Sequence, residues 1–294
     1  MHSKLNYFKN EFLLLNKIST EQIFKFSTVP LFISIDEVGR GCVAGSVVSC
    51  VSLWADPIFF NLNDDQQHKS DWLNLINDSK KLTEKKRQVC FNAIIKDFNL
   101  LYSTIKCGDA KQITSFTQLF ENTNKLHYSG SEFETTTSKE AKRNLICLQF
   151  ILGQATPFEI DTYNIWNAVQ ISIARALLEL NEQIYNSYPN LVNYIPKATI
   201  LMDGKHFIKV PNEFKNNLQV TVTQADGLFL SVGFSSIIAK VYRDTEMIAL
   251  DKTFPIFGFA KHKGYGTATH LQAIQSHGIC NLHRKSFLSN YINS

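Results

Sequence analysis

The chain has 294 residues, 44% hydrophobic and 19% charged, with a formal net charge of +4. Such a chain holds enough apolar residues for a full core, which excludes a disordered polyelectrolyte and suits one large domain or two small ones. No run approaches the ~20 apolar residues of a membrane span, and the first apolar run, Phe12–Leu15, is too short for a signal peptide.

Taken in chain order, residues 1–28 are a polar and aromatic lead with room for a short helix. Val29 to Asp36 predicts a strand, a Gly-rich turn follows, and Ser46 to Trp54 predicts a second strand, together a hairpin with one face buried. Asp56 to Asn77 is a polar loop, and Thr83 is placed to cap a helix whose apolar face is Phe91, Ile94, Ile95 and Phe98. Asn99 to Ile105 is a strand by composition, but Leu148 to Leu152 competes for the same place. Residues 107–146 are rich in Ser, Thr, Asn, Lys and Glu, with little periodicity, and are read as an insertion. Ile165, Val169, Ile173, Ala176, Leu177 and Leu180 make one face of a long helix. Ala198 to Met202 and Val220 to Thr223 are short strands, and Leu228 to Leu250 is a helix. Strands and helices alternating after an opening hairpin imply an α/β domain with a mixed sheet.

The six cysteines (Cys42, Cys50, Cys90, Cys107, Cys147 and Cys280) show no C-x-x-C pair or zinc spacing, which fits a reducing, cytoplasmic compartment. From Lys252 to Ser294 there is no Asp or Glu, but there are five Lys or Arg and four of the eight histidines. An acid-free basic tail is the footprint of a polyanion-binding face, although a merely solvated tail has the same composition.

Asp36-Glu37 ends an apolar strand, where acids are seldom found unless paired or bound to metal. In a regular strand the two side chains point to opposite faces, so both reach one site only if the strand ends or bends there; Gly39-Arg40-Gly41 supplies a bend. Asp203-Gly204 and Asp226-Gly227 repeat the pattern after two further strands. Each alone reads as a turn-forming Asp-Gly. Three such positions in one chain point to clustered oxygen ligands, which favour a hard cation such as Mg²⁺ or Mn²⁺, and two such ions are standard equipment for phosphodiester hydrolysis. Asp78 to Arg87 carries five basic residues and two acids at a helix start, a plausible phosphate contact. Phe259 to Thr267 sets Tyr265 among lysines and glycines, which suits stacking on nucleic acid.

IDEVGRG at 35–41, NDSKKLTEKKR at 77–87, MDG at 202–204, FSSIIAKVYRD at 234–244, FGFAKHKGYGT at 257–267 and HRKSF at 283–287 resemble, in the same order, the motif series of bacterial ribonuclease HII; EIDTYNI at 159–165 is a weaker match. The resemblance covers roughly 29–105 and 148–287. It implies a ribonuclease H-like mixed β-sheet flanked by helices, with a helical, basic C-terminal extension. It also implies a metal-dependent endonuclease that cuts the RNA strand of RNA/DNA hybrids and the 5′ side of ribonucleotides embedded in duplex DNA. By resemblance, Asp36, Glu37, Asp203 and Asp226 hold Mn²⁺ or Mg²⁺, in all two ions. Gly39, Arg40 and Gly41 read the 2′-hydroxyl, and Tyr265 stacks near the cut. Ser79, Lys80 and Lys240 take supporting roles toward the substrate.

Three positions depart from the pattern: Ala225 replaces the glycine before the fourth acid, Gln224 the usual lysine before that, and Lys205 the common Asn. The expected layout is an N-terminal extension (1–28), a catalytic domain (29–251, with the 107–146 insertion) and a substrate-binding extension (252–294). The insertion is read as tolerated loop growth in preference to a partner site, and the molecule as a monomer. Ribonuclease HIII is the nearest rival; Arg40, where that enzyme has Thr, and the short lead argue against it. A nuclease-dead nucleic-acid binder is the other rival, and the presence of all four acids argues against it.

Overall fold

The computed structural model describes residues 8–20, 29–62, 71–76, 82–100, 105–109, 113, 118–121, 124–134 and 145–292. Its strands are β1 (Leu31–Val38), β2 (Val47–Ala55), β3 (Phe120–Glu121), β4 (Lys125–Tyr128), β5 (Ile146–Ala155), β6 (Thr199–Asp203), β7 (Lys209–Val210) and β8 (Gln219–Val222). The helices are α1 (Lys9–Thr20), α2 (Glu84–Asp97), α3 (Ser131–Glu134), α4 (Pro157–Tyr163), α5 (Ile165–Ser187), α6 (Ala225–Leu228), α7 (Leu230–Thr253), α8 (Phe259–His262), α9 (Ala268–His277) and α10 (Ser289–Ile292).

Six strands form one mixed sheet in the order β4-β8-β6-β1-β2-β5, and β3 and β7 form a separate pair. The opening hairpin is antiparallel, with Asp36 opposite Cys50. On the other side of β1, β6 runs parallel, with Ile35 opposite Met202, and ends at Asp203 while β1 runs on to Val38. Alternation sorts the side chains. Phe32, Cys50, Trp54 and Phe150 pack beneath α7 with Phe234, whereas Leu31, Ile33, Ile35 and Val51 pack beneath α5 with Val169, Ile173 and Leu177. No helix among the described residues is long and apolar enough to cross a membrane.

Leu148–Leu152 lies within β5; of the competing Leu100–Ile105, residues 101–104 lie outside the described set, and Cys107 just beyond it bridges in parallel to Leu152. The helix expected over Leu228–Leu250 is two helices, α6 and α7, parted at Phe229, whose backbone is extended (φ −108°, ψ 120°). The insertion is more than a loop. It supplies β3, β4 and α3, and β4 pairs in parallel with β8, Leu126 opposite Val220. A four-residue edge strand has too few positions for a period to show; the unpaired N–H and C=O groups of its neighbour organise it.

The lead also has a place. α1 lies against the joint between α6 and α7. Asn10 donates to the Leu228 carbonyl (2.6 Å) and Glu11, fully buried, accepts from the Ser231 N–H (3.0 Å) and hydroxyl (2.9 Å). Burial pushes the Glu11 carboxyl up to about 7. Lys17 pairs with Glu132 of α3 at 2.8 Å, tying the lead to the insertion. At the other end of the chain, Phe257, Phe259, Ile274 and Leu288 form a small core with Ala44 and Met247.

Candidate active site

Asp203 ends β6, and Asp36 stands beside it where the β1–β6 pairing stops, next in register after Ile35 and Met202 and two residues before β1 ends. By alternation both share the α7 face. The Ala225 N–H donates to Asp203 Oδ1 at 2.7 Å, which fixes the start of α6 and with it the buried Asp226. Gly233 of α7 lets that helix close on α6, since a Cβ there would lie 2.8 Å from the Asp226 carbonyl. The structure corrects one expectation: Asp226 is not at a strand end but in the first turn of α6, beyond the end of β8 at Val222.

Glu37 behaves differently. β1 does not stop or bend at Asp36 but continues to Val38, so Glu37 faces the α5 side. There its Oε1 accepts from Arg40 Nη1 at 3.2 Å. Burial raises the Glu37 carboxyl, Arg40 pulls it back, and Asp203 pushes it up again. Asp36 is under heavier strain. Burial, then the charge of Glu37, lifts it well above the ordinary carboxylate range against a hydrogen bond with the Ser236 side chain, and Asp203 and Asp226 push the same way.

The donor set suits a hard divalent cation: four carboxylates, with one opposed by burial and by three like charges. As they stand, no three His, Cys, Asp or Glu side chains among the described residues converge into a closed metal shell.

Beside the carboxylates, the turn from Gly39 to Ser46 is held from behind by two buried arginines that sequence reasoning passed over. Arg243 donates to the carbonyls of Ser46 (3.0 Å), Ala44 (3.0 Å) and Lys263 (2.7 Å). Arg284 donates to those of Gly45 (3.0 Å), Arg40 (3.1 Å), Cys42 (2.7 Å) and Ser46 (3.2 Å). Burial pushes Arg284 down to about 10, still charged at neutral pH. Gly39 (φ +94°) is obligatory, because a Cβ would lie 2.4 Å from Arg243 Nε; Gly41 faces open space. Arg40 is exposed, its guanidinium 5.3 Å from the Trp166 ring centre.

Tyr265 bridges to Cys42 on this turn and is 43% exposed, and the Lys240 ammonium sits 5.8 Å from its ring centre. Lys240 also pairs with Asp244 at 2.8 Å. Three histidines hold the Tyr265 segment. The Gly264 N–H donates to His262 Nδ1 (3.2 Å), His270 Nδ1 bonds the Tyr265 carbonyl (2.9 Å), and His270 Nε2 meets His283 Nε2 at 3.1 Å. Since a carbonyl only accepts, His270 carries its proton on Nδ1 and accepts from His283 at Nε2. His283 Nδ1 is then left to accept from the Cys280 N–H (2.9 Å), so both rings are neutral. Burial pushes His270 and His283 down to about 4. Asp161, in the weakest sequence match, accepts from the N–H groups of Lys285 and Ser286 (both 2.9 Å), anchoring the segment after Arg284. Ser79 and Lys80 lie outside the described residues.

A mixed sheet with acids side by side on two adjacent parallel strands, flanked by helices, defines an α/β fold of the ribonuclease H-like class. The solved structure of the PCNA:RNase HII complex from Archaeoglobus fulgidus shares it, with a TM-score of 0.50 at 20% identity, covering 87% of this chain and 93% of that one. The family model for ribonuclease HII matches residues 33–147 and 157–290. Ribonuclease HII of Shewanella oneidensis is 32% identical over 270 residues, 92% of this chain and 93% of the relative. That of Vibrio cholerae is 33% identical over 257 residues, 87% and 86%. The chain belongs to the ribonuclease HII family, the type 2 ribonucleases H, which are metal-dependent endonucleases.

Proposed function

We propose that this enzyme hydrolyses the RNA strand of RNA/DNA hybrids and cuts on the 5′ side of single ribonucleotides embedded in duplex DNA, leaving 3′-hydroxyl and 5′-phosphate ends. The observation that carries this reading is the juxtaposition of the neighbouring acids on β1 and β6 with a turn whose carbonyls are held by Arg243 and Arg284. Asp36, Asp203 and Asp226 would hold two Mg²⁺ or Mn²⁺ ions, joined by Glu37, which stands on the other face of β1 but near enough that its charge raises Asp36 and Asp203 raises it; when bound, such ions supply an activated water and stabilise the leaving 3′-oxygen.

The protein's own groups do the rest. Gly39, Arg40 and Gly41 present backbone and guanidinium to the 2′-hydroxyl, the group that marks a ribonucleotide. With seven hydrogen bonds from Arg243 and Arg284 fixing the turn and its surroundings, little reordering is left for substrate to drive. The exposed face of Tyr265 stacks on the neighbouring deoxyribose, and Lys240 sets a positive charge beside it. Ser79 and Lys80 contribute phosphate contacts, and the basic segment 252–294 binds substrate. The enzyme acts as a cytoplasmic monomer in removing misincorporated ribonucleotides.

A duplex with one embedded ribonucleotide, incubated with Mg²⁺, Mn²⁺ or EDTA and mapped at nucleotide resolution, tests this. A single metal-dependent cut 5′ of the ribonucleotide is expected. Cutting of long hybrids alone would remove the junction-reading roles of the turn and of Tyr265.

A further inference from the structure

On the α5 side of the sheet lies a cleft of about 280 Å³, lined by Trp166, Asn167 and Gln170 of α5, by Phe207 and Lys209, and by Lys125 at the head of β4. It is a built feature. Gln170, 3% exposed, accepts the Lys209 N–H at 2.8 Å, and its amide nitrogen lies 3.3 Å from Asn167 Oδ1. Trp166 joins the cleft to the turn. Arg40 sits 5.3 Å from its ring centre, and the His206 ring packs on it at 5.4 Å. Phe207 in turn carries the Lys125 ammonium at 5.7 Å from its ring centre. The result is a row of cations and flat rings, Arg40 with Trp166 and His206, then the next residue Phe207 with Lys125, leading away from the turn. Lys125 comes from the 107–146 segment, which the motif series does not cover.

We propose that this cleft grips the sugar–phosphate backbone of the duplex flank that runs past Arg40, outside the cleavage site. The inference rests on the nucleic-acid reading of the site. Charge and shape choose the occupant: ammonium groups meet phosphates, and ring faces meet the flat apolar faces of sugars. Continuity with the Arg40 turn gives the strand its route. The β4 strand of the insertion thus acts as one wall of a substrate groove.

The test measures binding, in EDTA, of uncut duplexes whose flank on one side is either short or long, over a range of salt. Wild type and Lys125→Ala/Lys209→Ala are compared, with Phe207→Ala as a second variant that leaves the charge intact. In wild type the long flank should bind tighter than the short. In the double variant its Kd should rise about tenfold, with the salt slope falling by about 2. Phe207→Ala should weaken the long flank without changing the slope. The short flank and the melting temperature should not move. Equal affinity of wild type for both flanks, an unchanged slope in the double variant, or equal losses on both flanks would overturn the proposal. If wild type binds in this length-dependent way but cuts nothing in metal, the cleavage reading falls and the cleft stands.

Discussion

The turn at 39–46 and the carboxylate cluster touch the same site but are held in opposite ways. The turn is over-determined: two buried arginines spread seven hydrogen bonds over its carbonyls and that of Lys263, and the neutral histidines brace the Tyr265 segment beside it. The carboxylates are frustrated, with burial and three like charges opposing ionisation of Asp36. A part that must recognise a shape is rigid before substrate arrives. A part that must hold cations keeps an unbalanced charge, and stability is given up there for function.

Substitution should separate the two regions. Asp203→Asn should lower turnover about a thousandfold or more, equivalent to ~4 kcal/mol of barrier, while the protein stays folded and still binds hybrid. Near-normal single-turnover rates would remove Asp203 from the site. Arg284→Ala should do the reverse in kind. It strips donors from buried carbonyls and should cost about 3–5 kcal/mol in denaturant melts, so a loss under ~1 kcal/mol would show that water replaces the guanidinium. Gly39→Ala should cost about 1–3 kcal/mol and weaken discrimination for ribonucleotides, because the methyl collides with Arg243.

Protonation sharpens the contrast more gently. His270 and His283 are neutral when folded, pushed down to about 4 from 6.5. The unfolded chain therefore binds more protons between those values. The stability this packing contributes is complete above about pH 6.5 and is lost as pH falls toward 4. Glu11 runs the other way. Raised from 4.5 to about 7, it favours the folded state most below 4.5 and loses that contribution as pH rises through 7. Melting curves from pH 4 to 8 should show a histidine-dependent fall at the acid end that His283→Gln reduces, and Glu11→Gln should raise the melting temperature at pH 8 more than at pH 5. The smallest effect belongs to Gln224, exposed and left-handed at φ +63°. Gln224→Gly should stabilise by about 0.5–1 kcal/mol.

Much of this was legible in the sequence where a residue's type states its task. The acids Asp36 and Asp203, the second of which ends its strand while β1 runs on past the first, the glycine turn and the helix cap at Thr83, whose side chain accepts from the Lys86 N–H, all declare themselves locally. Asp226 was legible as an acid but misplaced, since nothing in QVTVTQAD shows that the chain turns into α6 after Val222. The departure at Ala225 carries no backbone penalty: it starts α6, fully buried, and the left-handed residue is its neighbour Gln224. Arg243 and Arg284 were quoted within motifs, but their task was hidden, because a basic residue on a helix or in a basic tail looks solvated until a distant turn supplies carbonyls. β4 was illegible for a related reason, its strand character being lent by the edge of β8.

The division between a rigid turn and a strained carboxylate cluster is tested most directly by thermal melting of wild type and Asp36→Asn, each in EDTA and in saturating Mn²⁺. Wild type should gain stability with Mn²⁺, about 2.7 kcal/mol at a hundredfold excess over Kd. Asp36→Asn should melt higher than wild type in EDTA, by about 0.5–2 kcal/mol, and lose most of the Mn²⁺ increment. An Asp36→Asn protein that melts lower in EDTA, or that keeps the full increment, would contradict the account.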